Sequence, residues 1–164
     1  METLPNSMTN LLNLQTLKLN SCPELRTLPR NFGKLVNLRH LELKWCNRLT
    51  RMPNGLGKLT NLQTLSKYKL GVSSSSVPSH GGELNELMGL NNLKGELEIS
   101  SLRHGKTARL ESESANLKEK QHLRSLSLEW DSSVDDSDAT EAILGYEMSL
   151  EGLQPHPNLE SLSL

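Results

Sequence analysis

The sequence predicts an α/β repeat fold. Short parallel strands stack into a curved sheet on a concave face, and helices or irregular turns return the chain along a convex face. Three observations predict it. Leucine supplies 35 of the 164 residues, against two isoleucines and one phenylalanine. A close-packed core ordinarily mixes shapes so that side chains interdigitate, so a core of one residue type implies equivalent sites. The chain also aligns on itself with a period of 24: LQTLKLNSCPELRTLPRNFGKLVN (14–37) lies over LRHLELKWCNRLTRMPNGLGKLTN (38–61). Ten of the 24 positions are identical, Cys22/Cys46, Pro29/Pro53, Gly33/Gly57 and Asn37/Asn61 among them. Finally, each copy contains L-x-x-L-x-L, whose last two leucines alternate as a strand with one buried face requires.

Continued to Cys at the ninth position, that motif is the pattern of a leucine-rich repeat. One copy cannot bury its leucines alone; a neighbouring copy supplies the missing wall. The expected architecture is therefore one leucine-rich-repeat solenoid over 1–164. Regular 24-residue repeats cover 4–67, a loop covers 72–82, and longer irregular repeats cover 83–164. The opening LPNSMTNLLN (4–13) is the tail of an earlier copy, and a third copy begins LQTLSK at Leu62 and loses the pattern at Lys67. GELEIS then places Leu97 and Ile99 inward, and LRSLSLEW (123–130) does the same with Leu123, Leu126 and Leu128. LESLSL (159–164) stops in mid-copy, so the chain is expected to be a fragment with apolar faces exposed at both ends. ARLESESANLKEKQ (108–121) and ATEAILGYEMSLEGL (139–153) both suit a helix, the second with apolar residues at helical spacing. VSSSSVPSHGG (72–82) is rich in turn-forming residues, and DSSVDDSD (131–138) reads as an acidic, solvated loop.

Where the leucines point in, the residues between them point out. The expected protein-binding face comprises Gln15, Thr16, Lys18, Arg39, His40, Glu42, Lys44, Tyr68, Arg124 and Glu129, with Trp45 and Trp130 at strand ends. Both tryptophans are the eighth residue of their repeat. Aromatics are enriched at binding hot spots, yet a tryptophan at a strand end can equally cover the sheet edge, and both readings stand.

Charge is unevenly spread. Residues 1–70 carry 11 Lys/Arg against 3 Asp/Glu, and residues 71–164 carry 7 against 16, which sum to the net −1. A basic half suits an acidic protein surface or nucleic acid. Nucleic-acid motifs are absent, which favours the protein surface. There is no run of 18 apolar residues, no secretory leader over the first 30, and no Asn-x-Ser/Thr site among 14 asparagines, a weak pointer to the cytoplasm. Cys22 and Cys46 are too few for a disulfide framework and are expected as thiols. The histidines 40, 80, 104, 122 and 156 have no metal spacing. Gly105-Lys106-Thr107 lacks the first glycine of a phosphate loop, since Ser100 stands there. No catalytic constellation, metal site or cofactor is expected.

The stretches LPRNFGKLVNLRHLEL, MPNGLGKLTNLQTL, LNNLKGELEIS, ANLKEKQHLRSLSLEW and LQPHPNLESLSL, in that order, give the chain its resemblance. It resembles the leucine-rich-repeat region of plant intracellular immune receptors of the coiled-coil nucleotide-binding class. The resemblance implies a non-enzymatic role in plant defence: sensing a pathogen effector or a guarded host protein, and packing on the receptor's nucleotide-binding switch to hold it inactive. That switch lies upstream and is not in this sequence. The alternative is a stand-alone intracellular signalling scaffold, which regular repeats and Asn at the ninth position would favour.

Overall fold

The structure, a computed structural model, describes residues 1–71, 83–103, 108–131 and 139–164. The expected loop 72–82, the Gly105-Lys106-Thr107 tripeptide, His80, His104 and nearly all of the acidic stretch, 132–138, lie outside them.

Two parallel sheets are present. The first has the order β1 (Thr16–Lys18), β2 (His40–Glu42), β3 (Thr64–Leu65). The second has the order β4 (Lys67–Lys69), β5 (Lys94–Leu102), β6 (His122–Trp130), β7 (Ser161–Ser163). Strands are adjacent in chain order, as repeats demand. The pairing register equals the period: Leu17 faces Leu41, and Leu41 faces Leu65. The later registers are longer, with Leu97 opposite Leu126 and Leu126 opposite Leu162. The parallel sheets with few helices fit an α/β repeat fold.

The inward leucines form a single cluster from Leu19 to Leu153, with Phe32, Met52, Tyr68 and Ile99 among them. Leu35, Leu38, Leu41, Leu43, Leu56, Leu59 and Leu62 are fully buried. Between strands the chain turns through short 3-10 segments, 32–34, 56–58, 84–87 and 117–119. Neighbouring repeats approach closely there. A Cβ on Gly33 would sit 2.5 Å from the Gly55 carbonyl oxygen, and one on Gly57 would sit 2.7 Å from that of Glu86. The Glu86 carboxylate accepts from the backbone N–H of Gly55 at 2.8 Å and of Gly57 at 2.7 Å, tying the two repeats together.

A second tie recurs along the chain. The asparagine just before the first leucine of a repeat donates its side-chain amide to a backbone carbonyl one repeat earlier. Asn37 reaches Leu12, Asn61 reaches Val36, Asn92 reaches Thr60 and Asn158 reaches Gln121, at 2.8–3.2 Å. These bonds span 25, 25, 32 and 37 residues, so the same contact survives when the repeat lengthens.

The helical expectation holds in part. α2 (Ala139–Leu153) has the expected bounds, while in 108–121 the α-helix is confined to α1 (Ala108–Ser114), followed by the 3-10 turn 117–119. Asn116 adopts a left-handed conformation (φ 51°) and breaks the run. Cys22 and Cys46 are free thiols. The buried Cys46 donates to the Leu19 carbonyl at 3.1 Å, and burial pushes its pKa up.

The outward assignment of Tyr68 is corrected. Tyr68 is fully buried, and its hydroxyl donates to the Glu83 carbonyl. The cause is one extra residue. The bend at Ser66 separates β3 from β4, and its hydroxyl, turned inward, accepts from Leu43 N–H at 2.7 Å. A one-residue slip exchanges the two faces of a strand. Beyond Ser66 the inward set is therefore Tyr68 and Leu70, and the outward set is Lys67 and Lys69.

Candidate interaction face

On the outward face of the sheets, charges are matched across neighbouring strands. Lys18 of β1 pairs with Glu42 of β2 at 3.3 Å. Lys44, just past β2, pairs with Glu96 of β5 at 2.8 Å, and Lys67 of β4 with Glu98 of β5. Arg124 of β6 meets Glu160 at 3.4 Å and donates to the Asn158 carbonyl at 3.0 Å. His40 shares a hydrogen bond with Thr64 at 3.0 Å. Asn20 accepts from Lys44 N–H and donates to Glu42, and this bond, ahead of Lys18, holds the Glu42 carboxyl below its usual range. The Lys44–Glu96 hydrogen bond likewise lowers the pKa of Glu96 and raises that of Lys44. Apart from Lys67, whose side chain is largely buried, these pairs are exposed, and exposed pairs contribute little to stability. Their effect is to leave much of the face near neutral.

Gln15, Thr16 and Arg39 are exposed on the same face, and Arg39 forms no ion pair among the described residues. The backbone carbonyl of Gln15 accepts from both Arg39 and His40, fixing where those side chains leave the sheet.

The two tryptophans, in phase in the sequence, are not equivalent in space. Trp130 ends β6 in extended conformation, is half-buried against the core and meets Tyr146 of α2 edge-on, with ring centroids 5.3 Å apart. Of the two readings of Trp130, this packing fits the second: it covers the end of the sheet beneath α2. Trp45 is 72% exposed and has φ 64°. Its counterparts Ser21, in the preceding repeat, and Ser101, two repeats on, are also left-handed, with φ 58° and 62°. The conformation thus recurs at this position in three of the repeats, and in this one a bulky aromatic adopts it.

A left-handed conformation costs an L-residue roughly 1–2 kcal/mol, and glycine almost nothing. Trp45→Gly is accordingly expected to stabilise the fold by about 1 kcal/mol, read as a higher melting temperature by circular dichroism. A drop in stability would show instead that Trp45 contributes packing its exposure does not suggest.

Trp45 stands at the rim of a hollow of about 430 Å³. Its lining crosses the strands in order, with Lys44 and Asn47 past β2, Lys67 on β4, Glu96 and Glu98 on β5, and Ser125, Ser127 and Glu129 on β6. On β6 short serines stand where β5 presents long glutamates: Glu96 faces Ser125 and Glu98 faces Ser127. Of the expected face, Lys44, Trp45 and Glu129 come together here. The glutamates of β5 and the serines of β6 complete the hollow, and the alternation in GELEIS and LRSLSLEW is the signal that marks them.

A different hollow, of about 480 Å³, lies by the Leu-Pro and Met-Pro pairs and is flanked by the exposed Arg30 and Arg51. Among the described residues neither arginine has an ion pair, and no group of three or more His, Cys, Asp or Glu could hold a metal ion. No helix among them is long and apolar enough to cross a membrane.

Compared with known protein families, residues 84–164 match the family model described as R13L1/DRL21 LRRs, a leucine-rich-repeat family of the plant disease-resistance type. No curated protein matches the chain. Repeats of this family point to a protein-interaction module.

Proposed function

We propose that this chain is the recognition and restraint region of a plant intracellular immune receptor of the coiled-coil nucleotide-binding class. It is a non-enzymatic module working in the cytoplasm, a single solenoid with regular repeats over 4–67 and longer ones over 83–164. Its sheets form one concave surface for a pathogen effector or a guarded host protein. The observation that carries this reading is the outward face, where the exposed Trp45 borders a hollow while the surrounding charges are mutually matched. The family match over 84–164 supports the plant-defence setting.

The basic repeats dock on the receptor's own nucleotide-binding switch and keep it inactive. Arg30, Lys34, Arg51 and Lys58 support this, because among the described residues none has an ion-pair partner within the chain. Titrating the chain with the nucleotide-binding module of the same receptor, over a series of salt concentrations, tests the restraint. Binding is expected to weaken steeply with salt, because screening shortens the reach of exposed charges, and to be lost in Arg30→Glu/Arg51→Glu. Tight, salt-indifferent binding confined to residues 97–164 would overturn it.

A further inference from the structure

The proposed recognition face can be given a ligand chemistry, an inference that rests on the reading above. Within the hollow, Lys44 is paired to Glu96 and Lys67 to Glu98. Glu129 at the far end is exposed and has no ion pair among the described residues. The lining therefore carries two cations and three carboxylates, and the carboxylate left over is that of Glu129. Trp45, at the opposite end, offers an open aromatic surface. The two features call for different side chains, an apolar one against the ring and a cation against the carboxylate.

Their separation sets the spacing. Trp45 follows β2 and Glu129 belongs to β6, with the β3–β4 strand segment and β5 between them. Three steps of about 4.8 Å place them roughly 14 Å apart across the strands. An extended peptide advances about 3.4 Å per residue, and its side chains at i, i+2 and i+4 share one face. Four residues thus span the gap and return a side chain to the same face. Ser125 and Ser127, shorter than the glutamates they face, leave room for the peptide backbone between the two contacts.

We infer that the hollow receives an extended partner segment that sets an apolar or aromatic side chain on Trp45 and, four residues away, a lysine or arginine on Glu129. The segment crosses the strands instead of adding to a sheet edge. Specificity then comes from the pairing of the two ends, since neither an apolar peptide nor a basic one satisfies both.

Random heptapeptides displayed on phage, selected on the whole chain, test this. Selected peptides are expected to place an apolar or aromatic residue and a Lys or Arg four positions apart. As synthetic peptides they should bind at least tenfold more weakly to Trp45→Ala and to Glu129→Gln, and unchanged to Lys118→Ala, on the exposed turn 117–119. Circular dichroism confirms that each variant is folded. Failure to select any peptide, or selection of peptides without a basic residue at that spacing, overturns the inference. Peptides that lose affinity on Trp45→Ala but not on Glu129→Gln overturn it while leaving the recognition face standing. Peptides indifferent to both substitutions remove the face as well.

Discussion

Leu41→Ala is expected to lower the unfolding free energy by about 2–5 kcal/mol, the range for truncating a buried leucine whose surroundings collapse incompletely. Leu41 is fully buried at the centre of β2, and its strand neighbours Leu17 and Leu65 lie one repeat to each side. Truncation therefore opens a cavity between three repeats at once. The same strand supplies the control: Arg39 is exposed and unpaired among the described residues, and Arg39→Ala should stay within about 0.5 kcal/mol of the parent. Urea unfolding of the two variants measures both. Equal losses would mean that the leucines do not bear the stability of the sheet.

The second large effect is a gain. Lys120 is fully buried, and its ammonium donates to the carbonyls of Leu87 at 2.7 Å and Leu90 at 3.4 Å and to the side-chain oxygen of Asn91 at 3.3 Å. Its repeat counterparts are Leu35, Leu59 and Leu90. Replacing a buried charge by a well-fitting apolar residue is commonly neutral or stabilising by about 1–4 kcal/mol. Loss of the lysine leaves neither backbone carbonyl bare, because Leu90 N–H already reaches the Leu87 oxygen and Leu93 N–H the Leu90 oxygen. Lys120→Leu is thus expected to be the more stable protein at pH 7, by about 1–3 kcal/mol.

The pH dependence follows from burial, which brings the Lys120 pKa down from 10.5 to about 8. Below pH 8 the lysine is charged in both folded and unfolded chains. Between pH 8 and 10.5 the folded protein has released its proton while the unfolded chain retains it. The unfolded state then binds more protons, so parental stability from this group rises with pH. The advantage of Lys120→Leu should therefore shrink from pH 8 towards pH 10.5. Cys46 and Tyr68, whose pKa values burial raises, lower alkaline stability in both proteins alike and cancel in the difference. An advantage constant with pH would show that Lys120 stays charged in the fold.

Particular residues show how much of this was legible. The 24-residue period fixed the pairing of β1, β2 and β3 residue for residue, because identical repeats can stack in only one register. The longer repeats kept their strands legible through Leu97, Ile99, Leu126 and Leu128. Tyr68 was misplaced because Ser66 gives no local sign of a slip: a serine suits either face, and only the depth of its hydrogen bond to Leu43 decides. Trp130 and Trp45 share a phase, and what separates them is α2, which arrives 16 residues after Trp130 through Tyr146. Lys120 sits in LKEKQ, the end of the stretch 108–121 that reads as a helix, and nothing in that helical reading buries it. Setting it beneath Leu35, Leu59 and Leu90 would have shown a cation in an apolar position. Of the interaction face, the outward residues were legible, whereas the hollow was not, because it depends on small serines of β6 standing beside long side chains of β5.

The recurring asparagine bonds bear on how such a chain can change over generations. Each reaches back one repeat and no further, and the same bond forms across 25, 32 or 37 residues. A gene rearrangement that copies, deletes or lengthens a repeat between two of these asparagines leaves the remaining bonds intact. Such a chain can be re-tailored by whole modules as readily as by point substitution, the ancestral joint being remade wherever an asparagine meets the carbonyl before it.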